Sequence, residues 1–238
     1  MSSISDNLQA VLAHIHAYAQ QSGRDPSQVD LLAVSKTFGA DAVLEAVAAG
    51  QRRFGENYLQ EALDKIQAVQ AAKLVSTAAW PLEWHFIGPI QSNKTRPIAE
   101  HFAWVHSVDR EKIALRLSEQ RPDHLPSLNI CLQVNISGEE SKSGVLPAEA
   151  LALAQQIAVL PRLSLRGLMA VPEASDDEQQ QRRAFRQLKE LSQSIQAAGI
   201  ALDTLSMGMS SDLHAAIAEG STMVRVGTAI FGNRNYAK

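Results

Sequence analysis

The chain has 238 residues, of which 45% are hydrophobic and 20% charged, and its formal net charge is −3. This composition argues against a disordered chain, a protein with long membrane-spanning segments and a general nucleic-acid-binding protein with a basic surface. The single cysteine, Cys131, excludes an intrachain disulfide and fits a reducing compartment such as the cytoplasm.

The N-terminus predicts an amphipathic helix over about residues 2–22. Apolar residues recur there at helical intervals, at Ile4, Leu8, Val11, Leu12, Ile15 and Ala19. The segment lacks the positively charged start of a signal peptide, so we do not expect export.

After this helix, short β-rich runs alternate with helical stretches, which predicts parallel βα units. The predicted strands are Leu31–Ser35, Arg53–Gly55, Trp84–Ile87, Trp104–Ser107, Asn129–Asn135, Leu163–Met169, Thr204–Met207 and Met223–Val226. The clearest predicted helices are Asp41–Ala49, Glu56–Val69, Asp109–Gln120, Pro147–Val159 and Asp176–Ala198. Eight strands of this kind predict a single (β/α)8 TIM barrel, and no linker divides residues 1–238 into two domains.

An open, doubly wound sheet is the alternative fold. Its first βα turn would normally carry a glycine-rich phosphate loop of the pattern G-x-G-x-x-G, which this sequence lacks. The count of eight strands favours a closed barrel.

Lys36 directly follows the apolar run Leu31–Ser35, so a barrel would deliver its amine to the mouth, where functional residues lie. Removal from water there lowers the pKa of a lysine and favours the neutral amine that attacks carbonyl groups. Taken alone, the run fits a solvated lysine at a strand end more often than a reactive one.

Barrels frequently bind phosphate with the loops that follow strands seven and eight. The first of these loops, Ser206–Asp212, has a glycine and three serines, Ser210 among them, and the second begins with Gly227 and Thr228. Each segment alone also fits ordinary turn and helix-capping chemistry. Their presence at both expected loops favours a phosphate site.

Three further polar residues lie in or next to predicted strands. Arg225 alternates with Val224 and Val226, so its side chain turns into the barrel, where it needs a structural ion pair or a ligand ring nitrogen. Asn57 can cap the following helix or touch a ligand. His85 fits a packed histidine bonded to a backbone carbonyl, and the histidine spacing predicts no metal site.

Six segments together resemble one known family. The most specific segment is Trp84–Lys94, and the others are Ala33–Thr37, Phe54–Tyr58, Arg166–Met169, Leu205–Ser210 and Val224–Gly232. Through them, nearly the whole chain resembles the YggS/PROSC family of pyridoxal phosphate homeostasis proteins. The resemblance implies a fold-type III barrel, similar to the N-terminal domain of alanine racemase, that binds pyridoxal 5′-phosphate (PLP).

The resemblance also implies a role for each candidate residue. The cofactor would be held as a Schiff base on Lys36, with Arg225 facing its pyridine nitrogen and Asn57 beside it. Its phosphate would be held after the last two strands. The cofactor-binding residues implied in this way are Lys36, Asn57, Ser206, Ser210, Arg225, Gly227 and Thr228.

Phe38 departs from the family pattern, because close bacterial relatives tend to have a second lysine two residues after the Schiff-base lysine. Any part of that second lysine in handing over the cofactor is therefore in doubt here. Lys142 is a candidate second amine, although its loop also fits a solvated lysine.

Two features favour a carrier over an enzyme. PLP stabilises carbanions best when an acid protonates its ring nitrogen, and an arginine at position 225 would oppose that. Racemisation also needs an acid or base on each face of the substrate. In alanine racemases a C-terminal domain supplies the second of these groups, and we expect no such domain here, since the sequence ends at Lys238.

We therefore expect a monomeric, cytoplasmic PLP homeostasis protein. It would bind PLP and other B6 vitamers and make transient contacts with apo-enzymes, and it would bind neither nucleic acid nor membranes. The alternatives are a weak PLP-dependent racemase or lyase, and an aldolase in which Lys36 attacks a sugar phosphate.

Overall fold

A computed structural model describes residues 2–72, 81–139 and 142–233. Within these residues, eight parallel strands close into a barrel in chain order, and the last strand pairs with the first. The strands are β1 (Asp30–Val34), β2 (Arg53–Glu56), β3 (Glu83–Phe86), β4 (Trp104–Val108), β5 (Leu128–Gln133), β6 (Leu163–Met169), β7 (Thr204–Ser206) and β8 (Met223–Val226). The closed order confirms the predicted TIM barrel and excludes the open sheet.

Helices surround the barrel and connect its strands. They are α1 (Ile4–Gln21), α2 (Ala40–Ala48), α3 (Leu59–Ala71), α4 (Thr95–His101), α5 (Glu111–Gln120), α6 (Pro147–Ala158), α7 (Glu178–Ala197), α8 (Leu213–Ala218) and α9 (Thr228–Phe231). Short 3-10 turns cover Pro26–Gln28 and Ser92–Lys94. Over the described ranges, none of these helices combines the length and apolarity needed to cross a membrane.

The predicted helix Glu56–Val69 is wrong at its start. Glu56 is still in a strand, where it pairs with Phe86 of β3, and α3 begins only at Leu59. The boundary depends on the parallel pairing of β2 with β3, and a local sequence pattern does not show that pairing.

The helix α1 covers the region in which the sequence predicts an amphipathic helix. Its start is a capping box, in which the Ser3 hydroxyl accepts from the Asp6 N–H and the Asp6 carboxylate accepts from the Ser3 N–H. Its buried face packs against α2, α8 and α9. The helix therefore covers one side of the barrel beside β8 and β1.

The main core lies between the strands and the surrounding helices, and a smaller cluster of Trp104, Cys131 and Met169 is separate from it. Cys131 is completely buried, and burial raises the pKa of its thiol to about 12. The thiol is therefore neutral and closed off from solvent in the folded chain.

Candidate functional site

The predicted site residues lie where strands end on the carboxyl side, which is where barrels place their functional groups. Lys36 comes just after β1, Asn57 just after β2, Ser206 ends β7, and Gly227-Thr228 follows β8. Because β8 pairs with β1, the loops that hold Lys36 and Gly227 are neighbours. A Cβ added at Gly227 would lie 3.1 Å from the carbonyl oxygen of Val34, so the two loops are close-packed.

Ser210 lies in the exposed turn between β7 and α8, where it lines a cavity of about 350 Å³ together with His14 and Tyr18 of α1. The Met209 N–H in this turn donates to Asp212 Oδ1 at 2.5 Å. Asp212, and no serine, is the residue before α8, and its side chain does not cap the helix. The capping alternative for these serines is therefore not observed.

Arg225 lies inside the barrel with 5% of its surface exposed, as strand alternation predicts. Its Nη1 donates to the Ser206 carbonyl at 2.6 Å and to Ser206 Oγ at 2.8 Å, and its Nη2 donates to the Ala170 carbonyl at 2.9 Å. Burial lowers the pKa of Arg225 to about 10, so it remains a cation at neutral pH. Within the described residues these contacts use three of the five N–H donors of a guanidinium and none reaches a carboxylate, which leaves two donors for a ligand.

Asn57 carries a buried side-chain oxygen, Oδ1, for which the described part of the chain supplies no hydrogen-bond donor. The helix α3 starts after Tyr58 without a side-chain cap, so Asn57 does not act as one. A Cβ at Gly88 would lie 2.1 Å from the Asn57 carbonyl oxygen, so this glycine allows the two loops to touch. Since buried acceptors normally have a donor, Asn57 Oδ1 fits a group that meets a ligand.

A buried ion cluster, which sequence reasoning missed, holds the backbone next to Lys36. We call Lys65, Glu56, Glu61 and Ser35 the Lys65 cluster. The ammonium of Lys65 lies 2.6 Å from Glu56 Oε1 and 3.0 Å from Glu61 Oε1, and it donates to the Ser35 carbonyl at 2.8 Å. The Ser35 hydroxyl also donates to Glu56 Oε1, at 2.6 Å. The side chains of Lys65 and Glu56 are 3% and 0% exposed, so this ion pair is fully desolvated.

The turn of Lys36 is held from its other side as well. The Thr37 N–H donates to Glu61 Oε1 at 2.6 Å, and Thr37 adopts a φ of 70°, which is rare for a β-branched residue. Phe38 packs on Phe231 of α9 with ring centroids 5.2 Å apart. This aromatic contact ties the loop of Lys36 to α9.

Lys142, the other candidate amine, pairs with Glu139 at 2.9 Å in the loop after β5. Its side chain is 28% exposed, so this lysine is partly buried within its own loop.

Two histidines meet in the barrel interior below Arg225. His85 Nδ1 lies 2.9 Å from His106 Nε2, and His106 Nδ1 lies 2.8 Å from Ser206 Oγ. The prediction that His85 bonds to a backbone carbonyl is wrong, because an imidazole from β4 occupies that position. Alternation along β4 puts Trp104 and His106 on one face of the strand, a signal that points to an inward histidine.

A cavity of about 610 Å³ lies at the opposite, amino-terminal end of the barrel, which we call the floor. Its charged side chains already have partners, for example Asp30 for Arg53 at 2.7 Å, Asp203 for Arg166 at 2.6 Å and two backbone carbonyls for Arg24. It contains none of the predicted site residues, so the mouth of the barrel is the better candidate site.

Residues 7–235 match the family model of the alanine racemase N-terminal domain. A Pseudomonas aeruginosa protein named pyridoxal phosphate homeostasis protein is 61% identical over 236 residues, which cover 99% of this chain and 98% of the relative. The chain belongs to the family of pyridoxal phosphate homeostasis proteins. An Escherichia coli K12 member of this family is 52% identical over the full length of both chains. The family resemblance predicted from the sequence is therefore confirmed.

Solved structures of related proteins have the same fold. PipY of Synechococcus elongatus PCC7942, in its structure with PLP bound, has a TM-score of 0.80 and 37% identity over 97% of this chain and 100% of PipY. A protein from Bifidobacterium adolescentis has a TM-score of 0.88 and 38% identity over 95% of this chain and 94% of its own. Alanine racemase from Corynebacterium glutamicum, with 17% identity and a TM-score of 0.67, shares the fold over 95% of this chain and 62% of the racemase.

Proposed function

We propose that this chain binds PLP at the mouth of its barrel and carries it in vitamin B6 homeostasis, without substantial catalytic activity. The observation that carries this proposal is the placement of Lys36, two residues after β1, and of Arg225 in β8, since these two strands pair directly. The loop that holds Lys36 is therefore next to the strand that holds a buried cation. The family name and the PLP-bound structure of PipY support the same cofactor.

The residues at this rim fit the cofactor. Asn57 Oδ1, which has no donor among the described residues, and the two remaining donors of Arg225 offer polar contacts to its ring. The first N–H groups of α9, after Gly227, and the hydroxyls of Thr228 and Ser210 offer donors to its phosphate. When bound, PLP would supply an aldehyde for reversible condensation with a lysine amine, and we assign that amine to Lys36.

Ser206 acts differently from the other predicted ligands. Its hydroxyl and its carbonyl both accept from Arg225, and its hydroxyl also contacts His106. We therefore assign Ser206 to holding the arginine that faces the cofactor ring.

Arg225 also explains why a PLP carrier is favoured over a PLP-dependent enzyme. It is a cation at neutral pH and has donors only, so it would donate to the ring nitrogen of PLP and would not supply that nitrogen with a proton. Without a protonated ring nitrogen, carbanion chemistry is weak. We propose accordingly a cytoplasmic, monomeric carrier that meets PLP-dependent apo-enzymes transiently.

A trapping experiment tests the binding site. The purified protein is mixed with PLP, its visible absorption is recorded, and borohydride reduction is followed by peptide mass spectrometry. We expect a visible band that reduction removes and a pyridoxyl group on Lys36, which Lys36→Ala abolishes and the control Lys142→Ala leaves in place. A Lys36→Ala protein that keeps the same band after dialysis would refute the assignment.

A turnover experiment separates a carrier from an enzyme. The PLP-loaded protein is incubated with L- and D-amino acids, and racemised or cleaved products are measured. We expect turnover no higher than that of free PLP, and a clear excess would favour the racemase or lyase alternative.

A further inference from the structure

A continuous line of polar side chains crosses the barrel interior from the mouth to the floor. We call Arg225, Ser206, His106, His85 and Glu83 the polar column. Successive contacts are 2.8 Å from Arg225 Nη1 to Ser206 Oγ, 2.8 Å from Ser206 Oγ to His106 Nδ1 and 2.9 Å from His106 Nε2 to His85 Nδ1. The last contact, from His85 Nε2 to Glu83 Oε2, is longer, at 3.5 Å.

The carboxylate at the floor sets the proton order of the column. A carboxylate only accepts, so the neutral ring of His85 carries its proton on Nε2, which faces Glu83. His85 Nδ1 then accepts from His106 Nε2, and His106 Nδ1 accepts from the Ser206 hydroxyl. Ser206 Oγ accepts in turn from Arg225, whose guanidinium has donors only. The column thus has one proton order, from the cation at the mouth to the anion at the floor.

Burial and charge agree with this order. His85 and His106 are both fully buried, and desolvation lowers the pKa of His85 and takes that of His106 well below its usual value. Both rings are therefore neutral near pH 7. The pKa of Glu83 is lowered, chiefly by its contact with His85, which keeps the floor carboxylate ionised.

A line of this kind is unusual inside a small barrel, whose interior is normally filled by layers of branched apolar side chains. Buried polar groups stabilise a fold less than well-packed apolar side chains unless each one is satisfied. In the polar column, the only buried ring nitrogen without a hydrogen bond in the described ranges is His85 Nε2, which faces Glu83. At the mouth the column ends at Arg225, which belongs to the proposed cofactor site.

We propose that His106, His85 and Glu83 are positioning residues for Arg225. Their fixed proton order directs the Ser206 hydroxyl proton to His106, which turns the lone pairs of Oγ towards the guanidinium and holds it towards the cofactor ring. The cofactor end of this proposal rests on the proposed function.

Nitrogen-15 NMR of the histidine rings tests the proton order in the cofactor-free protein. At pH 7 we expect two buried neutral rings, each protonated on Nε2, and a nitrogen–nitrogen coupling across the His106–His85 hydrogen bond. A charged ring, or a proton on Nδ1 of either residue, would overturn the proposal. This measurement does not depend on whether the chain binds PLP.

Cofactor retention tests the positioning role. His106→Phe keeps a ring of similar size but loses both nitrogens, and Phe102→Leu is the control, because it disturbs a buried contact with Phe86 outside the column. We expect His106→Phe to weaken PLP retention about tenfold and to shift the visible band, since one hydrogen bond supporting the arginine is lost. We expect His106→Asn, whose amide oxygen can replace Nδ1 as acceptor, to recover part of the loss.

The outcomes separate the two proposals. Equal PLP retention and an unchanged band in His106→Phe and Phe102→Leu would overturn the positioning role while leaving the carrier function intact. Failure of the wild-type protein to bind PLP would overturn the proposed function and, with it, the cofactor end of this inference.

Discussion

Lys65→Met removes the ammonium at the centre of the Lys65 cluster and keeps a side chain of similar length. Glu56, which is 0% exposed, would retain Ser35 Oγ as a donor but lose its cation at 2.6 Å, and the Ser35 carbonyl would lose a donor at 2.8 Å. Removing one partner of a buried ion pair typically costs about 3–5 kcal/mol. We expect a loss in that range in the free energy of unfolding, measured by urea denaturation followed by circular dichroism.

The sign of the pH dependence follows from Glu56. Burial already raises the pKa of this carboxyl, and Lys65 opposes that rise. Without Lys65 the folded-state pKa rises further above the unfolded one, so the stability this group contributes is present at low pH and is lost as pH rises through the folded pKa. The loss caused by Lys65→Met should therefore be smaller at pH 5 than at pH 8.

Two further variants make this prediction sharp. The double variant Glu56→Gln/Lys65→Met removes the stranded charge, so it should be more stable than Lys65→Met alone. Lys112→Met, on the exposed face of α5, should change the unfolding free energy by less than about 0.5 kcal/mol. A loss below about 1 kcal/mol in Lys65→Met, or a double variant that is less stable than the single one, would refute the reasoning.

Three other variants or treatments probe the site and its surroundings. Gly88→Ala should lose about 1–3 kcal/mol in urea denaturation, because its Cβ would meet the Asn57 carbonyl oxygen at 2.1 Å, whereas Gly39→Ala, with nothing within 4 Å, should lose only the preference of the α2 N-cap for glycine over alanine. Asn57→Ala should leave the unfolding free energy of the cofactor-free protein almost unchanged, since its Oδ1 has no donor among the described residues, but should weaken PLP retention after dialysis. Cys131 should react with a disulfide reagent such as DTNB only as fast as the chain unfolds, and immediate reaction of the native protein would contradict its burial.

Much of the fold was predictable because barrel strands carry strong local signals. The continuous apolar run before Lys36 predicts both β1 and the placement of that lysine at the mouth. Alternation around Arg225 predicts that this residue points inward. These inferences need only the period of a strand and the rule that barrels place function at the carboxyl ends.

The contacts that complete the site were not predictable in the same way. The pair of Lys65 and Glu56 joins a helix to a strand end, and the sequence pattern placed Glu56 in the helix instead. The contact between His85 and His106 joins two strands whose relative height depends on the register of the closed barrel. Such contacts depend on three-dimensional closure, which no local pattern encodes.

The burial of Cys131 has a chemical consequence for a protein that handles an aldehyde. Thiolates add to aldehydes, but the sole thiol of this sequence is closed off from solvent. Burial raises its pKa to about 12, so it stays protonated at neutral pH. The intact fold therefore presents amines to a carbonyl compound and withholds sulfur. For the same reason, a cysteine engineered onto the surface would be the sole rapidly reactive thiol, so a fluorescent label attached there would report on one chosen position.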